Sequence, residues 1–455
     1  MSDLRYSDIA RALNGRLKGR DGVYESVSTD TRQLQAGSLY VALKGEHFDA
    51  HAFLAQAAAK GAAALLVEAE SSLALPQIVV ADTRRALGDL ARLWRRQFTL
   101  PLIAVTGSNG KTTVKEMLAA ILGQLGETLA TEGNLNNDIG VPLTLLRLRP
   151  HHCYAVVEMG ANHSGEIGYL ASVAEPHTAL ITNAGPAHLE GFGSLPEVAR
   201  AKAEIYSALP ETGQAIINAD DAYAPFWREQ TTHCQRIEFG LDTEADVRGE
   251  WFARENLLRI ETRIGSSDIR LPLYGRHNAS NALAAAAAAL SIGIGPQEIK
   301  QGLETMQPVR GRLCPRPGIG GMEILDDSYN ANPGSLAAAL NVLCSMPGRA
   351  WLVLGDMAEL GRDGERLHRD MGRLARESGV ERLFALGKLT AEAVAAFGDR
   401  GRLFNDVDEL VDELIGLSGT DVNVLVKGSR AMRMELVVAK LVDERQAVPK
   451  QSRGQ

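Results

Sequence analysis

Cysteine is scarce in this chain of 455 residues: the four present, Cys153, Cys234, Cys314 and Cys344, lie far apart with no CxxC pair. That excludes a disulfide framework or a thiolate zinc site and fits a reducing compartment. Basic residues are in deficit: 48 Lys and Arg face 56 Asp and Glu, for a net charge of -8. An acidic chain lacks the basic stripe that a nucleic-acid backbone demands, although it can still bind a nucleotide locally. No long hydrophobic run is present. The most apolar stretch, 279–294, is built on six consecutive alanines, Ala284 to Ala289, and reads as a buried helix rather than a membrane span. The opening MSDLRYSDIARAL has no apolar core of a secretory signal, so a cytoplasmic protein is expected. Internal repeats and low-complexity linkers are missing too.

What is there suggests several α/β units. A chain this long exceeds one hydrophobic core, so two or three domains are expected. Short apolar runs at 38–43, 63–67 and 77–80 predict strands, with a helix over 52–61 and another capped by Thr83. Runs at 102–105, 154–157, 179–182 and 215–217 alternate with helical segments, as in a mostly parallel sheet covered on both faces. Residues 235–275 change to alternating patterns and predict an antiparallel appendage. After a Pro/Gly-rich stretch, runs at 323–325, 351–354, 383–386 and 422–426 predict a further open α/β domain, and the last dozen residues a frayed tail.

The strongest motif is TGSNGKTT at 106–113, between a predicted strand and a helix over 114–125. Gly107, Ser108, Asn109 and Gly110 let backbone amides wrap a phosphate chain at a helix N-terminus. Lys111 supplies a cation for the outer phosphates, Thr112 a hydroxyl for Mg²⁺, and Thr113 continues the turn. Val105 stands where the common loop has its first glycine, so this is the shortened GxxGKT form. It specifies a nucleotide, not a reaction.

Glu158 ends one predicted strand and His188 follows another, in Asn183-Ala184-Gly185-Pro186-Ala187-His188. In an open parallel sheet both emerge beside the phosphate loop, and a carboxylate there suits Mg²⁺. Lys202 lies on a predicted helix over 196–209, within an apolar face formed by Val198, Ala201, Ile205, Tyr206 and Leu209. A lysine there must snorkel, pair or lose its charge. Two fates stay open: an ammonium at the surface, or a neutral amine that takes up CO₂ as a carbamate ligand for a second Mg²⁺.

Together with GNLNNDIG at 133–140, Glu158-Met159-Gly160, His277-Asn278-Ala279-Ser280-Asn281, Gly311-Arg312 and DSYNANP at 327–333, these segments resemble the Mur ligase family of peptidoglycan synthesis. The resemblance spans essentially the whole chain in the expected order. It implies three α/β domains: a UDP-sugar unit over 1–82, a central P-loop-type ATPase unit over 83–311, and a Rossmann-like C-terminal unit over 312–455 that closes on the nucleotide and binds an incoming dipeptide. By that resemblance Thr112 and Glu158 would bind one Mg²⁺, and His188 and carbamylated Lys202 a second. Asn281 would meet the adenine, with Arg312, Asp327, Tyr329 and Asn330 reaching the ATP from across the hinge. Thr29, Thr31, Arg32, Glu46, His47, Phe48, Asn134 and Asn136 would serve the UDP substrate. Within the family, DSYNANP and GNLNNDIG are most like the branch that joins D-alanyl-D-alanine to UDP-N-acetylmuramoyl-tripeptide, and the Asp-Asn-Pro-Arg run of the diaminopimelate-adding branch does not occur. A monomer without a nucleic-acid or membrane partner is expected. The competing readings are a sister ligase such as a folylpolyglutamate synthase, a nucleotide-hydrolysing switch, and a dinucleotide enzyme, which would need the GxGxxG that is missing here.

Overall fold

The computed structural model describes residues 4–45, 48–186 and 189–443, arranged around three sheets. In the nine-stranded central sheet Leu102–Thr106 lies third from one edge, flanked by Tyr154–Glu158 on one side and Thr178–Ile181 on the other. All three run parallel. Successive side chains of a strand face opposite ways, so Ile103 and Val105 enter one core while Leu102 and Ala104 enter the other. The first core packs the helix Lys111–Leu122 against the alanine-rich helix Arg276–Ser291, whose small side chains let the two helices approach closely. The second packs the helices Thr83–Arg95 and Glu166–Ala174, and it runs on without a break into the N-terminal unit through Leu39, Val41 and Leu66.

The five-stranded N-terminal sheet contains the three expected strands as Leu39–Val41, Ala64–Val67 and Gln77–Val79. It adds the edge strands Arg16–Lys18 and Val27–Ser28, too short and polar to register as apolar runs. The six-stranded C-terminal sheet is parallel except at Cys314–Pro317, with Val422–Lys427 between Glu323–Asp327 and Arg349–Gly355. Each sheet carries helices, giving the α/β architecture in three units that was expected.

Two expectations need correction. The segment 235–275 is not a separate antiparallel appendage: Gln235–Gly240 and Val247–Phe252 extend the central sheet in parallel, and only Leu257–Thr262 and Gly265–Arg270 turn antiparallel at its edge. An alternating pattern records one wet face and is the same for either direction of pairing. The cap of Thr83–Arg95 is Asp82, whose side chain accepts the amides of Arg84 and Arg85, while Thr83 turns inward to donate to the Ala42 carbonyl at 2.8 Å. No helix among the described residues is long and apolar enough to cross a membrane.

Candidate active site

The strand Leu102–Thr106 leaves the sheet where its two neighbours diverge, and a ligand site belongs at that crevice. Gly107 (φ 149°) and Gly110 (φ 84°) make the turn into Lys111–Leu122. Neither has room for a side chain: a Cβ on Gly107 would lie 1.8 Å from the Thr182 hydroxyl, and one on Gly110 2.3 Å from the Asn281 Oδ1. The adjoining strand end grips the loop. Thr182 Oγ1 and Asn183 Nδ2 donate to the Asn109 carbonyl, the Asn109 amide donates to Asn183 Oδ1, and Ser108 Oγ donates to the Gly185 carbonyl. Asp221 holds that neighbouring turn by accepting the Ala184 amide at 2.8 Å, and burial raises its carboxyl above the usual range.

The chemistry-bearing groups face one cavity of about 1070 Å³, lined by both the central and C-terminal units. Lys111 folds back to donate to the Gly107 carbonyl at 2.7 Å. Burial lowers its ammonium from the ordinary lysine value, opposed by Glu158 and reinforced by Arg312. Glu158 is 2% exposed; its Oε1 accepts from Asn136 Nδ2 at 2.8 Å, while its Oε2 is buried with no hydrogen-bond partner. A buried carboxylate oxygen without a donor, in a cavity that Thr112 also lines, fits a hard cation. Lys202 does not snorkel. It is 3% exposed near the end of the helix Leu195–Ala203, with Nζ 5.9 Å from the centre of the Phe192 ring. Burial first, and the like charge of Lys111 second, push this amine far below the ordinary lysine value.

The C-terminal unit supplies the opposite wall. Arg312 points Nη2 at Thr112 Oγ1 (3.4 Å) and stacks its guanidinium 4.2 Å from the centre of Tyr329. Asp327 accepts the Leu313 amide and pairs with Lys427, which stands directly beside it in the parallel register and also donates to the Asn330 carbonyl at 3.0 Å. Burial raises the Asp327 carboxyl and lowers the Lys427 ammonium, each partly countered by the other. Asn281, buried in Arg276–Ser291, closes the floor with Asn278, and His277 beside it is pushed down to about 4 by burial and the charge of Lys427.

Of the expected site residues, Ser108, Asn109, Gly110, Lys111, Thr112, Thr113, Asn134, Asn136, Glu158, Lys202, Asn281, Arg312, Asp327, Tyr329 and Asn330 all line this cavity. Thr31, Arg32 and Phe48 do not. They belong to the N-terminal unit, where Thr31 donates to Gln56, Arg32 pairs with Asp30, and Phe48 stacks on Phe53. Thr29 lies in the same segment. Glu46, His47 and His188 fall outside the described residues. Lys427, His277 and Asn332 line the cavity but were not assigned roles from the sequence. Lys427 had a signal, as a cation closing the buried run VNVLVK, the same logic that marked Glu158.

Comparison with known proteins identifies the family. A profile described as the Mur ligase middle domain matches residues 105–289, one described as the Mur ligase glutamate ligase domain matches 311–430, and one described as the Mur ligase family catalytic domain matches 23–95. The chain is 47% identical over 453 residues to the UDP-N-acetylmuramoyl-tripeptide--D-alanyl-D-alanine ligase of Escherichia coli K12, covering 97% of this chain and 99% of that protein. It superposes on a crystal structure of MurF from Acinetobacter baumannii with a TM-score of 0.90 and 40% identity, over 95% of this chain and 97% of that one. MurF from Thermotoga maritima in complex with ADP gives 0.82 at 26% identity, over 91% and 96%. With its phosphate loop, its unpartnered buried carboxylate oxygen and its buried lysine converging on a cavity shared by two units, the chain belongs to the Mur ligase family and is an ATP-dependent ligase.

Proposed function

We propose that the chain joins D-alanyl-D-alanine to UDP-N-acetylmuramoyl-tripeptide at the expense of ATP, through an acyl phosphate. The observation that carries this reading is the single cavity that brings Lys111, Glu158 and Lys202 opposite Arg312, Asp327 and Lys427. A carboxylate resists attack by an amine, because resonance and negative charge protect its carbon. Transfer of the γ-phosphate gives it a leaving group, and the amine of the dipeptide then displaces phosphate through a tetrahedral intermediate. Lys111 and Arg312 lie where they would oppose the charge that builds on the transferring phosphoryl group. Asn281 is set to meet the adenine, and Asp327, held by Lys427, to orient the ribose side of the nucleotide.

Glu158 Oε2 and the Thr112 hydroxyl would hold one Mg²⁺. Lys202, buried and with its charge disfavoured, would offer CO₂ the neutral amine that a carbamate requires, and His188 would join it at a second Mg²⁺. Bound Mg²⁺ supplies charge neutralisation for the phosphates. In the proposed division, residues 1–82 take the UDP moiety through Thr29, Thr31, Arg32, Glu46, His47 and Phe48, Asn134 and Asn136 line its path to the centre, and residues 312–455 close over ATP and the dipeptide. Closure excludes the water that would hydrolyse the acyl phosphate.

The test is phosphate release from ATP by purified protein, omitting each substrate in turn. Release should require both the UDP-linked tripeptide and D-alanyl-D-alanine. Release indifferent to the dipeptide would defeat the assignment.

A further inference from the structure

Asn332 opens the helix Pro333–Ser345 and has two separate tasks. Its Oδ1 accepts the Ser335 amide at 2.8 Å while the Ser335 hydroxyl accepts the Asn332 amide, a reciprocal cap that fixes the side-chain rotamer. Its Nδ2 then points out of the C-terminal unit and donates to Asn109 Oδ1 of the phosphate loop at 2.8 Å, across 223 residues of sequence. Asn109 in turn is bound through its backbone to Thr182 and Asn183, and the neighbouring Ser108 to Gly185. One hydrogen-bonded chain therefore runs from the first helix of the C-terminal unit, through the phosphate loop, to the turn that follows Thr178–Ile181.

We propose that Asn332 is a positioning residue that couples the seating of the C-terminal unit to the geometry of the phosphate loop. The proposal rests on the reading that ATP occupies this loop. The cap orients the amide without cost at the moment of closure, because its rotamer is already fixed by Ser335. A residue that only capped the helix would need an acceptor alone, and the Nδ2 donor would be idle. The amide of Asn332 uses both of its ends, one within its own unit and one on the other.

The experiment is a double-mutant cycle on the full-length chain with Asn332→Ser, Asn109→Ala and the pair. Serine keeps an acceptor for the Ser335 amide, so the cap and the melting temperature should be retained, but it is too short to reach Asn109. Asn109→Ala leaves the cap untouched and serves if the first variant folds poorly. Each single variant should lower kcat/KM for ATP about tenfold, the scale of one lost hydrogen bond, and should need more ATP analogue to reach the compact form in small-angle scattering. The double variant should be no slower than the slower single variant. Wild-type kinetics for Asn332→Ser, losses that multiply in the double variant, or a kinetic loss that merely follows a fall in melting temperature would each overturn the coupling. Failure of the ligase reading is separate, since it would show as dipeptide-independent phosphate release by the unaltered protein.

Discussion

Replacing Lys427 by methionine removes a charge from a place where water cannot substitute for it. The Lys427 side chain is 2% exposed and that of its partner Asp327 is 11% exposed. Methionine has a similar length, so little cavity is left; what is left is Asp327 with one hydrogen bond, from the Leu313 amide, and an Asn330 carbonyl without its donor. Stranding a buried charge by removing one partner costs about 3–5 kcal/mol. For a unit of this size that corresponds to a fall on the order of 10 °C in the melting transition, measurable by calorimetry. The loss should be largely reversed in Lys427→Met/Asp327→Leu, because two apolar groups leave no charge to desolvate. Dipeptide-dependent phosphate release should stay low in both variants, since in the proposed function Lys427 would hold Asp327 toward the nucleotide and the double variant lacks both. An unchanged transition in Lys427→Met, or a double variant less stable than the single one, would refute the account of Asp327 and Lys427 as a mutually dependent buried pair.

Three further outcomes are expected. Lys202→Ala should lower turnover by at least about a hundredfold, the scale of a lost electrostatic contact at the transferring group, and a short carboxylic acid in the assay should restore part of it; an active Lys202→Ala enzyme would return this lysine to a packing role. Gly110→Ala should raise KM for ATP about tenfold or more, because φ of 84° strains an L-residue and its Cβ would meet Asn281 Oδ1; a wild-type KM would show that the loop relaxes freely. His277 is held at about 4 against an ordinary 6.5, so between these values the unfolded chain binds a proton that the folded chain does not. Its contribution is complete above pH 6.5 and is lost as pH falls through about 4. At about 1.4 kcal/mol per pH interval that is up to about 3 kcal/mol, lowered by its partial contact with solvent. Denaturant midpoints of His277→Gln should therefore fall less steeply over that range than those of the unaltered protein, and parallel profiles would exclude the effect.

Local pattern revealed the parts of the site that are themselves local. The phosphate loop needs a strand, two special glycine conformations and a helix start, all within a dozen residues, so it can be read from a single segment. Glu158 could be read as a polar residue at the end of an apolar strand. Lys202 was only half legible: its apolar helix face left a surface ammonium and a buried amine both open, and only the surroundings in space show it buried, near the Phe192 ring and the like charge of Lys111. Lys427 closes an apolar run much as Glu158 does, but its meaning depends on Asp327, one hundred residues away, standing beside it in the sheet. The antiparallel pairing of Leu257–Thr262 and Gly265–Arg270 was legible, but the parallel pairing of Gln235–Gly240 and Val247–Phe252 was not, because burial alternates identically in parallel and antiparallel edges.

By itself the sequence determined the α/β class, the nucleotide loop and, through DSYNANP and GNLNNDIG, the resemblance to one ligase family, because each rests on residues close together in the chain. Tertiary structure alone decided which charges are desolvated and which find partners. Those properties depend on what surrounds a side chain in space, and here the surroundings of Lys202, Asp327 and Asn332 come from strands and helices remote in sequence that meet only when the three sheets are assembled.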